Sequence, residues 1–331
     1  MRREAGMSGC SSNREVQGCS TDAGRVCRVL EEPQLLQAAA RLVCAYAPDP
    51  GVHPSAVPGL TLYRLEQPGY IARSAGEIMT TFIIAGRKST AIGGRILEYG
   101  PGESLVCGIA SPSEFRTLEC SAAHPFLAVS VALDLSILME YAGQMTGMPG
   151  PGAGVSEGVF VIRPDEDLAL AFLALLRLLD RPELIAIRAP LLLRELHALL
   201  LDSACGPQLR ALASAGSEGH AVLNAVKWLR THFASSESIG ELARRANMSS
   251  ATFHRKFRQV TGFSPVQFRK RVRLFEARRQ LIAREANVTT AAYAVGYESP
   301  AQFVRDYKGL FGAPPLKDVR RLSEGRREHE A

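Results

Sequence analysis

Apolar positions change their spacing several times along this chain, and each change predicts a different kind of element. Leu35, Leu36, Ala39, Leu42 and Val43 recur at helical intervals, which predicts a short helix ahead of a loop running from Pro48 to Pro58. From 60 to 133 the apolar runs shorten and fill with β-branched and aromatic residues: Leu60–Leu65, Ile78–Ala85, Thr90–Ile92, Arg95–Tyr99, Ser104–Ile109, Phe115–Glu119 and Phe126–Leu133. Gly86-Arg87-Lys88, Gly93-Gly94 and Gly100-Pro101-Gly102 punctuate these runs as turns. Strands this short and this often interrupted predict an antiparallel barrel or sandwich, of a size that can hold one small ligand. Helical spacing returns at 134–146, where Asp134 is placed to cap. After a Gly/Pro-rich loop at 147–158, two Leu-dense helices follow at about 165–180 and 183–203, the second bent near Pro190. Leu168, Phe172, Leu175, Leu176 and Leu179 form a wide apolar face there. Ordinary core and a homodimer interface both account for it.

A linker is expected at 206–219, and Val222, Val226, Leu229 and Phe233 then open a last helical region. Within it, residues 249–265 and 299–315 are one module written twice, fifty positions apart. Ser249 pairs with Ser299, Phe253 with Phe303, Arg255 with Arg305, Phe257 with Tyr307, Arg258 with Lys308, Gly262 with Gly312 and Pro265 with Pro315. Each copy has a capping Ser, aromatics four apart, an outer basic face and a Gly stop. Each also follows a short supporting segment and a tight turn: Ile239–Ala246 with Asn247-Met248, then Thr289–Val295 with Gly296-Tyr297-Glu298. That is the plan of a helix-turn-helix, whose second helix presents its N-terminal outer face to base edges.

Stepping 100° per residue from Phe253 and Phe303 assigns the outer positions. Ser250, Ala251, His254 and Arg255 in the first copy, and Ala301, Gln302, Val304 and Arg305 in the second, are the candidate base readers. Arginine can grip guanine O6 and N7 in bidentate fashion, Gln can pair with adenine, and Ala or Val can touch a thymine methyl. Arg258 and Lys308 sit later on their helices and suit phosphate. Between the copies, Ser264–Ala283 predicts a linking helix carrying Arg269, Lys270, Arg271 and Arg273, also placed near phosphate. Its length of about 30 Å falls a little short of the ~34 Å between successive major-groove faces, so some DNA bending is expected.

Charge sharpens the division. Residues 220–331 hold 21 Lys and Arg against 10 Asp and Glu, a net of +11, whereas 1–219 carries a net of −5. Only the second part is therefore expected to meet a polyphosphate. The chain shows neither a membrane-spanning apolar run nor the apolar core of a signal peptide, so a cytoplasmic location away from membranes is expected. Seven scattered cysteines without a CxxC pair indicate neither zinc nor a disulfide framework. They leave reduced thiols as one reading and a Cys107–Cys120 redox pair on neighbouring strands as another. His53 and His124 lie far apart in sequence and make no metal-ligand pattern, so no metal, cofactor or catalytic residue is assigned.

The segments LARRANMSSATFHRKFRQVTGFSPVQF, RVRLFEARRQLIA and AAYAVGYESPAQFVRDYKGLFGAPP resemble the AraC/XylS family of bacterial transcription regulators over about 222–320. Upstream, VPGLTLYR, FIIAGRKSTAIGGRILEYGPGESLV and HPFLAVSVALD resemble the family branch with a cupin-like N-terminal domain. Ala291 and Ala292 depart from it, at support-helix positions where the family often has a larger aliphatic. The resemblance implies an α+β multidomain fold: a cupin-like β-barrel with trailing helices, then an all-α domain with two helix-turn-helix motifs. The expected divisions are a disordered extension at 1–31, an effector and dimerisation domain at 32–205, the linker at 206–219, a DNA-binding domain at 220–320 and a charged tail at 321–331. Implied partners are double-stranded promoter DNA, a second copy of the chain, RNA polymerase and a small-molecule effector whose binding residues are unassigned. A constitutive DNA binder whose barrel only dimerises, and a cupin-type enzyme fused to a DNA-binding module, are the alternatives.

Overall fold

The structure, a computed structural model, describes residues 32–145 and 157–330. The 1–31 extension, Cys10, Cys19 and Cys27, and most of the 147–158 loop lie outside the described residues. Among the described residues, ten antiparallel strands form two facing sheets. One has the order β1 (Gly51–Pro54), β2 (Leu60–Leu65), β9 (Phe126–Ala132), β4 (Met79–Ala85), β7 (Ser104–Cys107), β10 (Val159–Ile162). The other has the order β3 (Ile71–Ser74), β8 (Ser113–Glu119), β5 (Arg87–Ile92), β6 (Arg95–Tyr99).

The pleat explains why β4 and β9 read as nearly unbroken apolar runs. Phe82, Ile84, Leu127, Val129 and Val131 face one core, against the helices α1 (Glu32–Tyr46), α3 (Glu166–Arg177) and α4 (Ile185–Asp202). Their neighbours Ile83, Phe126 and Ala128 face the other sheet and belong to a second core. Both faces of the larger sheet are covered, so both phases of the alternation are apolar.

Three further strands lie outside the predicted set. β1 lies in the expected Pro48–Pro58 loop, β3 is half-exposed, and β10 follows the 147–158 segment. The turn placed at Gly86-Arg87-Lys88 is made at Gly86 alone (φ +74°), where an added Cβ would meet the Glu119 carbonyl oxygen at 2.6 Å. Arg87 and Lys88 instead begin β5. At the far end of β5, Gly93 and Gly94 both adopt positive φ, as a two-residue hairpin of the I′ kind requires. The Cys107–Cys120 expectation is corrected: β7 pairs with β4 and β10, whereas Cys120 follows β8, which pairs with β3 and β5 in the other sheet. Both thiols are free, and burial pushes Cys107 up to about 12, a value that keeps it unreactive.

Asp134 caps α2 (Leu135–Gln144), its carboxylate accepting from the Ser136 N–H at 2.7 Å. Pro190 sits inside α4. The expected linker is mostly a helix, α5 (Gly206–Ala213), because Leu209, Leu212 and Ala213 are buried. The C-terminal region is all helical: α6 (Glu218–Thr231), α7 (Ile239–Arg245), α8 (Ser250–Thr261), α9 (Pro265–Ile282), α10 (Val288–Ala294), α11 (Pro300–Phe311) and α12 (Pro315–Glu330), the last running through the expected tail.

This region does not stand apart from the barrel. The second core runs from Tyr99, Leu105 and Phe126 through Ile109, Val159 and Leu212 into Val222, Phe253, Phe257 and Phe268. The Gly158 N–H donates to the Val260 carbonyl at 3.0 Å, and Arg230 donates to the Ala75 carbonyl at 2.7 Å. The Gly93 hairpin tip meets the end of α8 so closely that a Cβ on Gly262 would lie 2.7 Å from the Gly93 Cα. A third core, with Leu281, Ala291, Ala292, Val295, Phe303, Tyr307 and Phe311, is built on the last four helices, and Phe233 packs against both it and the second core.

Candidate nucleic-acid interface

The two repeated modules fold alike because their capping and stopping residues do the same work twice. Ser238 and Glu241 form a reciprocal capping box at the start of α7, and Asn287 caps α10. Asn247 (φ 53°) and Gly296 (φ 85°) turn the chain in the left-handed region. Ser249 then accepts from the Thr252 N–H at 3.2 Å, and Ser299 from the Gln302 N–H at 3.4 Å. Gly262 and Gly312 end α8 and α11 with φ of 80° and 79°. The aromatic pairs face inward: Phe253 and Phe257 have ring centroids 5.5 Å apart, Phe303 and Tyr307 5.6 Å, and all four are fully buried.

With those rings fixed, the opposite faces are solvent-facing. Ser250, Ala251, Arg255 and Arg258 are exposed on α8, and Ala301, Gln302, Arg305 and Lys308 on α11. His254 and Val304 are half-buried: His254 meets Phe253 edge-on, and Val304 packs on the third core. Among the described residues, the side chains of Arg255, Arg258, Arg305 and Lys308 have no hydrogen-bond or ion-pair partner. Lys256, between them, pairs with Glu218 at 2.5 Å. Arg258 and Arg305 line one groove of about 480 Å³ together with Gln267, Lys270 and the Gly93-Gly94 tip.

The linking helix differs from the expected row of phosphate contacts. Arg273 donates to the carbonyls of Phe233, Gly296 and Ser235 at 2.7, 2.9 and 3.2 Å, bolting the two helix-turn-helix units together. Lys270 pairs with Asp306 of α11 at 2.6 Å. Arg271 stacks over the Phe263 ring at 4.7 Å, and Arg269 turns two guanidinium nitrogens into the protein, where they have no hydrogen-bond partner. Burial lowers the pKa of Arg269, Arg271 and Arg273 alike. A helix packed on several sides has little solvated face, so a basic run along it becomes internal fastening.

One positioning group was not legible as a motif. Asp318 of α12 is fully buried, takes Arg278 of α9 in a bidentate grip at 2.8 and 3.2 Å, and accepts from the Tyr307 hydroxyl at 3.0 Å. Burial, then the Asp318 charge, raises the Tyr307 pKa. The signal was the one mismatch between the aromatic pairs, Phe257 against Tyr307: the second copy has a hydroxyl because it has a carboxylate to meet. Among the described residues no three His, Cys, Asp or Glu side chains come together as a metal site, and His53 bonds the Asp49 carbonyl of its own loop. No helix of the described residues is long and apolar enough to cross a membrane.

Two helix-turn-helix units on one chain, fused through a shared core to an antiparallel barrel, define a class of DNA-binding regulator. Two family models match: AraC-type transcriptional regulator N-terminus over 56–208, and helix-turn-helix domain over 242–321. The HTH-type transcriptional activator RhaS of Pectobacterium carotovorum subsp. carotovorum (strain PC1) is 32% identical over 149 residues, 45% of this chain and 51% of that protein. RhaS of Escherichia coli (strain SE11) is 34% identical over 98 residues, 30% of this chain and 35% of its own. The chain thus spans about half or less of the length of these curated relatives. In fold, ToxT from Vibrio cholerae O395 superposes with a TM-score of 0.52 at 9% identity, over 78% of this chain and 96% of ToxT. Unsaturated fatty acid-bound ToxT from V. cholerae strain SCE256 gives 0.53 at 8%, over 78% and 94%. The chain belongs to the AraC/XylS family of transcriptional regulators.

Proposed function

We propose that this chain is a sequence-specific transcription regulator, one monomer of which sets α8 and α11 into adjacent major-groove segments of promoter DNA. The observation that carries this reading is the equivalent placement of four cations, Arg255 with Arg305 and Arg258 with Lys308, without an internal partner. Arg255 and Arg305 read bases, with Ser250, Ala251, Ala301 and Gln302 beside them. His254 and Val304 contribute edges. Arg258 and Lys308 hold phosphate; Arg273 is left out of that set because backbone carbonyls take its donors, and Arg269 because its guanidinium is turned into the protein. The protein acts in the cytoplasm, where its DNA is.

The barrel serves as a sensor for a small molecule and not as a catalyst. The fatty acid carried by one ToxT structure supports that reading, as does a barrel interior continuous with the first helix-turn-helix. Ile187 and Leu191, one turn apart on α4 and 67% and 64% exposed, offer the apolar seam for a second copy. RNA polymerase is the other partner a promoter-bound regulator meets. Arg255→Ala and Arg305→Ala should each weaken cognate binding by about 1–3 kcal/mol and leave binding to random duplex nearly unchanged. Lys308→Ala should weaken both and flatten the salt dependence by about one unit. Mobility shifts at several salt concentrations measure all three, and equal losses for the Arg variants on cognate and random DNA would remove the base-reading assignment.

A further inference from the structure

Lys88 has no place in the DNA-reading machinery, yet it is one of the most deeply buried charges in the protein, at 4% exposure. It lies on β5 in register with Tyr99 of β6 and Thr117 of β8, and points between the two sheets. Four rings surround its Nζ: Phe115 at 4.8 Å, Tyr99 at 5.5 Å, Phe126 at 5.6 Å and Tyr63 at 5.8 Å to the centroids. The rings come from strands of both sheets, so the amine is held at the centre of the barrel. The faces of the rings stabilise a cation, but they give its three N–H donors no acceptor. Among the described residues, the Lys88 amine makes no hydrogen bond or ion pair. A buried charge without an anion is costly, and an apolar residue of the same shape would fill the space at less cost. Cys107 is close enough to interact electrostatically, but burial keeps it a neutral thiol.

The cage selects its guest by exclusion. A cationic ligand is repelled by the amine already inside. A neutral one leaves the ammonium without its counter-charge. A phosphate brings more charge than one lysine matches, and no other described cation lies over these rings. Tyr63 and Phe115 are only partly buried, and the exposed Tyr70 packs against Phe115 with centroids 6.1 Å apart, so the cage reaches the surface on the β3–β8 side. We infer that the barrel binds an apolar monocarboxylate, whose carboxylate pairs with Lys88 Nζ while its hydrocarbon or aromatic body rests on Tyr63, Phe115 and Phe126. This rests on the sensor reading given above and adds the chemical class and the anchoring residue.

The test uses the full chain and Lys88→Met, with phenylacetate and octanoate as probes and phenylacetamide and octanamide as their uncharged counterparts. At least one acid should raise the wild-type melting temperature by about 5 °C near a hundredfold excess over its Kd. Its amide should not, and Lys88→Met should abolish the shift. Without any ligand Lys88→Met should melt no lower than wild type. If it melts well below, the amine is structural and the inference fails. If acid and amide stabilise both proteins equally, the barrel senses small molecules but not through Lys88, and only the inference fails. If no compound shifts the wild type, the inference fails together with the sensor reading.

Discussion

Lys88 and Arg273 are both cations drawn away from water, and the protein treats them in opposite ways. Arg273 receives three carbonyl oxygens, which satisfy its planar donors and make it a fastening. Lys88 receives only ring faces, and burial brings its pKa down from 10.5 to about 8. Below that value the amine is charged both folded and unfolded, and its burial cost is fully present. Between about 8 and 10.5 the unfolded chain still holds a proton that the folded chain has released, so this group's contribution to stability rises with pH through that window. Cys107, Tyr63 and Tyr99 face the same space, and their raised pKa values act in the opposite sense at alkaline pH. The difference in unfolding free energy between wild type and Lys88→Met isolates the lysine. It should move in favour of the wild type as urea titrations are taken from pH 7.5 to about 9.5. A flat difference would show that the amine is solvated. Reading the sequence put Lys88 in a turn, because Gly86-Arg87-Lys88 has turn composition. The alternation Lys88, Thr90, Ile92, all buried, was the better guide to its direction.

At the scale of elements, the helix-turn-helix pair was legible nearly to the residue, since caps, buried aromatics and left-handed glycines are local signals that the repeat states twice. The linking helix was legible as a helix but not in its role. Which faces it covers depends on α6, α10 and α12, and packing between distant elements leaves no periodic mark on any one of them. The same holds for α5, whose Gly206-Pro207 start reads as a linker until Leu209 and Leu212 are seen to be buried. The knot at Asp318 is the clearest case, because it joins α9, α11 and α12 through one carboxylate. Tyr307→Phe should cost about 1 kcal/mol of stability, the worth of one hydrogen bond. Asp318→Ala, which strands the Arg278 guanidinium, should cost about 3–5 kcal/mol. Urea unfolding measures both. If the knot sets the pose of α11, footprints of these variants should lose protection at the half-site proposed for Arg305 while that proposed for Arg255 persists.

Across the whole molecule, the two helices built from one module have different standing. α8 stands on a core continuous with the barrel interior, whereas α11 stands on a core of its own. Local opening follows such boundaries, so the two should report different stabilities. In hydrogen exchange of the full chain, the amides around Phe253 and Phe257 should share the protection of β7 and β9, and those around Phe303 and Tyr307 should exchange independently of the barrel. Joint protection of all four would show a single cooperative unit. The charge division of the sequence separates the two regions, but it is silent on this fusion. An apolar contact between domains looks, residue by residue, like any other core.

The meeting of Gly93 with Gly262 sets a mechanical tolerance. Two bare backbones touch there, with less clearance than a methyl group needs on either side. The barrel's hairpin therefore acts as a feeler resting on the heel of α8, with no side chain between them to flex and absorb a displacement. Any swelling or twist of the barrel's rim reaches that heel undamped.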